Sequence, residues 1–117
     1  MPVTPIPIPE LTLEAVKTPE EILVQCSGRI TSSTSEILQI KVRSLIPETK
    51  CVVLDLADVN YIDSSGLGAL VSVYMAAKRR RCLLKLLNLS QRLQELFLIT
   101  QLSSVFEGSG ENYFDGY

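Results

Sequence analysis

A nearly continuous apolar run, Cys51-Val-Val-Leu-Asp-Leu56, runs on into Asn60-Tyr-Ile-Asp-Ser-Ser-Gly-Leu-Gly-Ala69, and this pairing most constrains the fold. The run is short and rich in β-branched residues, which suits a strand covered on both faces. After the polar break, Leu67, Leu70, Val71, Tyr74 and Ala77 recur at helical spacing. A buried strand thus passes through a sharp turn carrying an acid, two hydroxyls and two glycines into an amphipathic helix. That is the repeating unit of a parallel α/β sheet.

The flanking segments extend this unit. Leu11 to Val16 and Ile22 to Ser27 are short apolar-patterned stretches joined at Lys17-Thr-Pro-Glu20, the pattern of a hairpin. Ser33-Thr-Ser-Glu36 has the spacing of a capping box, and Leu38, Val42 and Leu45 then share one helical face before Pro47 closes the segment. Leu83-Leu-Lys-Leu-Leu87 is the next strand, and Ser90 is placed to cap a helix carrying Leu93, Leu96 and Phe97. Ser103 to Phe106 reads as a last strand or turn. Strand–helix–strand units with short links require right-handed crossovers. The expected fold is therefore a small single α/β domain, with about four strands in a mostly parallel sheet, an edge hairpin and about three helices. Residues 1–10 form a proline-rich extended arm through Pro2, Pro5, Pro7 and Pro9, expected along the domain edge. Residues 11–107 form the domain and 108–117 an acidic tail.

Composition narrows the function. The net charge of −2 argues against direct DNA or RNA binding, since such proteins carry a basic footprint. Lys78-Arg-Arg-Arg81 is the one basic run, and it reads as cations gathered at the negative end of a helix dipole. Three scattered cysteines and no histidine leave a zinc site without its usual ligands, so no metal or cofactor is expected. The N-terminus has no signal-peptide pattern, and no apolar stretch is long enough to insert in a membrane. Unpaired cysteines point to a reducing, cytoplasmic setting.

The serine turn does not read as a hydrolase. A nucleophile elbow needs Gly-x-Ser-x-Gly and a histidine base, and Gly66 and Gly68 do not fit a P-loop. The plainer role for Ser64 or Ser65 is a helix cap, worth about 1 kcal/mol. Against it, Asp63 and Ser64 stand at the carboxyl edge of the sheet, where open α/β folds keep their sites. Gly68, Ala69, Ser72, Val73 and Ala76 also give the helix a smooth second face, expected to dock a partner. A phosphoryl group on the serine would add about −1.5 to −2 charges, tolerated by a helix N-terminus but opposed to a docked partner.

The stretch Asp55 to Leu70, together with Asn88-Leu-Ser-Gln-Arg-Leu-Gln-Glu-Leu-Phe97, Leu102 and Val105-Phe106, resembles the STAS domain of bacterial anti-sigma factor antagonists. The resemblance covers about Leu11 to Phe106. It implies a non-enzymatic protein that binds an anti-sigma factor with serine kinase activity and thereby releases a sigma factor. It further implies phosphorylation at Ser64, with Ser65 as a second candidate, reversed by a metal-dependent serine phosphatase. By position, Asp63, Ser65, Gly66 and Leu67 would form the docking turn, flanked by the loop from Gly28 to Thr34. The family commonly has Gly-x-Leu-Asp in that loop. This chain has Gly28-Arg-Ile-Thr31, which sets Arg29 and Thr31 at the expected contact. The rival expectation is a STAS subunit or scaffold of another assembly, such as a lipid transporter or a stress-signalling complex.

Overall fold

The computed structural model describes residues 10–99, with side chains as far as Phe97. The expectations for the proline arm before Glu10, for Ser103 to Phe106 and for the tail lie outside these residues. The elements are β1 (Leu11–Lys17), β2 (Ile22–Ile30), α1 (Ser35–Leu45), a 3-10 turn (Ile46–Glu48), β3 (Cys51–Ile62), α2 (Ser64–Arg79), β4 (Leu83–Leu87) and α3 (Gln91–Ile99). The sheet order is β1-β2-β3-β4. β1 runs antiparallel to β2 as the edge hairpin, and β2–β3 and β3–β4 are parallel. This is the α/β architecture that the apolar patterning predicts.

The core follows from the same patterning. Leu38, Val42 and Leu45 of α1 are buried, as are Leu67, Leu70, Tyr74 and Ala77 of α2, with Val71 half-buried. They meet Val24, Ile30, Val52, Leu54 and Leu86 from β2, β3 and β4, while Leu93 and Phe97 carry α3 into the same cluster. Each large side chain so buried contributes roughly 1.5–3 kcal/mol. All three cysteines are buried thiols. Among the described residues no helix is long and apolar enough to cross a membrane.

Two local features differ from the sequence reading. First, β3 continues well past the apolar run, through Ala57 to Ile62. Beyond the Asp55–Leu87 pair it no longer lies against β4, and it stays extended by pairing with β2 across two register shifts. Val59 and Ile62 face inward there, whereas Asp58, Asn60 and Tyr61 are exposed. Second, the capping box does not form. Thr34, not Ser33, is the N-cap of α1, and its side chain makes no capping bond. Its hydroxyl turns back to the end of β2, donating to the Arg29 carbonyl (2.7 Å) and accepting from the Thr31 N–H (2.9 Å). Ser90 does cap α3, accepting from the Leu93 N–H at 3.2 Å.

At the open end of the hairpin, opposite Leu11, Gly28 adopts φ +119°, a conformation that side chains disfavour. A Cβ there would lie 2.1 Å from the Glu10 carbonyl oxygen, which accepts from the Arg29 N–H at 2.8 Å.

Candidate functional site: the serine turn between β3 and α2

β3 ends at Ile62, and Asp63 is the N-cap of α2 with an extended backbone (φ −107°, ψ −174°). Its carboxylate accepts from the Gly66 N–H at 2.9 Å, and its carbonyl accepts from the Leu67 N–H at 2.9 Å. Its own N–H donates to the Ile30 carbonyl at 3.2 Å, tying the turn to the end of β2. Capping is thus done by the acid, not by either serine. Ser64 and Ser65, the first two residues of the helix, are exposed, and neither hydroxyl forms a hydrogen bond to the described residues. Their N–H groups belong to the first helical turn, which has no intrahelical acceptors.

The two glycines of the turn do different things. A Cβ on Gly66 would sit 2.2 Å from the Ile30 carbonyl oxygen and 2.7 Å from Ile62 Cγ1. Only a bare backbone allows α2 to start so close to β2. Gly68 is exposed and has open space where its Cβ would be. Leu67 is buried in the core, so of the predicted docking turn Asp63 is half-buried, Ser65 is exposed, and Gly66 and Leu67 point inward.

The flanking loop lies against this turn. Arg29 is exposed, with its guanidinium carbon 4.8 Å from the centroid of the Tyr61 ring, its register partner across the strand ends. Tyr61 was not singled out in the sequence; it is marked as a large aromatic side chain exposed at the end of β3. Thr31, expected to meet a partner, is instead buried, and its hydroxyl accepts from the Ser33 N–H at 3.2 Å. It shapes the turn rather than its surface. Ser32 and Ser33 form the exposed tip.

The smooth second face of α2 is corrected by the structure. Ala69 and Val73 are buried, and α1 packs on this side of the helix. Ser72 donates to Gln39 Oε1 (3.0 Å) and accepts from Arg43 Nη2 (2.8 Å), both on α1. Ala76 is half-buried against the core. Small side chains here let two helices approach closely. Of the five residues expected on a docking face, Gly68 alone is fully exposed.

Burial, reinforced by the nearby Asp55 carboxylate, pushes the Cys26 thiol up to about 12, and burial raises Cys82 as well. Both are therefore poor thiolate formers. Among the described residues no group of three or more His, Cys, Asp or Glu side chains is arranged to hold a metal ion.

Comparison with known proteins places this geometry in a family. Residues 12–115 match the STAS domain family. The anti-sigma-B factor antagonist of Bacillus subtilis is 31% identical over 102 residues, covering 87% of this chain and 94% of that protein. Among solved structures, the phosphorylated form of the Bacillus cell fate determinant SpoIIAA superposes with a TM-score of 0.67 at 17% identity, over 92% of this chain and 90% of that one. A sulfate transporter family protein from Wolinella succinogenes superposes with a TM-score of 0.70 at 23% identity, over 88% and 82% of the two chains. At these identities the structural likenesses speak for the fold alone. The strand–serine turn–helix of this chain, within a sheet of this order and a family match over most of its length, shows that the chain belongs to the STAS domain family.

Proposed function

We propose that this chain is an anti-sigma factor antagonist that docks an anti-sigma factor with serine kinase activity through the β3–α2 turn, and that phosphorylation of Ser64 switches the docking off. The observation that carries this reading is the Ser64 hydroxyl itself. It is exposed at the start of α2 and needed for no capping bond, because Asp63 fills that role. A hydroxyl with no structural duty can accept a phosphoryl group without unfolding the domain. The name of the Bacillus subtilis relative supports the antagonist role. The existence of SpoIIAA in phosphorylated and unphosphorylated forms supports a phosphorylation switch in a protein of this fold.

The electrostatics of the switch follow from the turn. A phosphoryl dianion on Ser64 would lie beside the unpartnered N–H groups of the first turn of α2, where the helix dipole favours an anion. The fold should tolerate it. A partner laid over the turn would instead meet that dianion next to Asp63, and like-charge repulsion with desolvation cost would expel it. The docking surface on this reading is Ser64, Ser65 and Gly68 with the exposed part of the β2–α1 loop, where Arg29 supplies a cation. A metal-dependent serine phosphatase would restore the binding form.

The test is a pull-down from native lysate with the wild-type chain and Ser64→Asp as baits. Retention of a serine-kinase-like ATPase by wild type and its loss with Ser64→Asp is the expected result. Equal retention of transporter or scaffold components by both baits would overturn the reading in favour of a STAS subunit of another assembly.

A further inference from the structure

The far end of α2 holds a second feature, which the serine turn does not use. Where the ends of α1 and α2 meet the 3-10 turn, a cleft of about 220 Å3 is lined by Arg43, Ile46, Pro47, Ala76, Arg79 and Arg80. Its α2 residues, Ala76 and Arg79, lie roughly 18–23 Å along the helix from Ser64 at the helical rise. Its lining combines three apolar residues with three arginines.

Two of the three arginines are held by hydrogen bonds, and none is neutralised. Arg43 donates through Nη2 to Ser72 Oγ at 2.8 Å, and Ser72 is itself anchored on Gln39. Arg79 donates through Nε to the Met75 carbonyl at 3.4 Å, which leaves both of its terminal nitrogens available. None of the three forms an ion pair with a described residue; the single ion pair found there joins Lys17 to Glu48. Glu48 is the one acid on the 3-10 turn, and that pairing removes it as a counter-ion for the cleft. Cations do favour a helix C-terminus, but each helix end carries only about half a negative charge. Two helix ends thus leave a surplus of roughly two positive charges among the three guanidiniums.

We infer that this cleft binds a small phosphate-class anion, a pyrophosphate or a phosphomonoester group. Arginine forks match phosphate oxygens in pairs, which is the geometry that distinguishes them from lysines as anion ligands. The volume sets the size, since it falls below the roughly 300–1,000 Å3 of pockets that take drug-sized ligands. The apolar lining of Ile46, Pro47 and Ala76 accepts the few carbon atoms that would carry such a group. The site is independent of the serine switch, and binding there leaves Ser64 uncovered.

The probe is inorganic pyrophosphate, titrated into the full chain and followed by backbone and Arg Nε NMR shifts. Saturable shifts confined to Arg43, Ala76, Arg79 and Arg80 are expected, with affinity falling at least ~10-fold in Arg79→Gln/Arg80→Gln. Lys78→Gln/Arg81→Gln removes the same charge from outside the cleft and should leave affinity nearly unchanged. A parallel sedimentation assay uses phosphatidylcholine vesicles with and without phosphatidic acid. Vesicle binding lost in the cleft variant would make the phosphate a lipid headgroup, and pyrophosphate binding alone would make it a soluble ligand. Shifts that stay linear through millimolar pyrophosphate, or an equal loss in the control variant, would overturn the site.

Discussion

Two hydroxyl-rich turns lie side by side at one end of the sheet, and they treat their hydroxyls in opposite ways. In the β2–α1 turn, Thr34 bonds both the Arg29 carbonyl and the Thr31 N–H, and Thr31 accepts from Ser33. Both threonines are buried. In the β3–α2 turn, Asp63 does the equivalent work with its carboxylate, and Ser64 and Ser65 are left exposed with no bond to the described residues. Similar residue types thus build a turn in one place and are displayed by it in the other. Burial and bonding partner, not residue type, decide which hydroxyl is available for chemistry.

This contrast is broken most severely at Gly66. Gly66→Ala forces a Cβ against the Ile30 carbonyl, a backbone atom that cannot swing aside, and should cost about 1–3 kcal/mol by denaturant unfolding. Thr34→Val comes next: it strands a buried N–H and a carbonyl of the β2–α1 turn, for an expected loss of about 2 kcal/mol in the same measurement. Asp63→Ala removes the cap of α2 and should cost about 1 kcal/mol. Gly68→Ala, two residues beyond the strained position, should stabilise the chain by up to about 1 kcal/mol, because its site is open and helical. Ser64→Ala is the smallest, within about 0.5 kcal/mol of wild type. A stability loss for Ser64→Ala as large as that for Thr34→Val would erase the distinction between the two turns.

Much of this was legible in the residues, and the failures share a cause. Continuous apolar runs and helical spacing marked the strands and helices, because burial on both faces or on one stripe leaves a direct imprint on sequence. The second half of β3 left no such imprint, since Asp58 and Asn60 interrupt the run and the strand persists by pairing with β2 across two irregularities, each of which puts one extra residue on β3. A cap on α2 was weighed only as the plainer alternative for Ser64 or Ser65, yet Asp63 is equally good at an N-cap, and only the backbone geometry chooses between them. Gly68, Ala69, Ser72, Val73 and Ala76 show the same ambiguity in space. A face of small residues suits a docking surface and a close helix–helix contact alike, and here α1 covers most of it. Thr31 was expected at a partner contact, but its hydroxyl is turned into the loop, so the exposed chemistry there falls to Arg29 stacked on Tyr61.

The most direct test of the central claim is site mapping of phosphorylation. The wild-type chain and Ser64→Ala would each be incubated with ATP and the ATPase they retain, then analysed by intact mass and peptide fragmentation. The account predicts one phosphoryl group on wild type, at Ser64, none on Ser64→Ala, and an unchanged melting temperature for the modified chain. Phosphate on a hydroxyl of the β2–α1 turn, or modification of Ser64→Ala to the same extent as wild type, would contradict it.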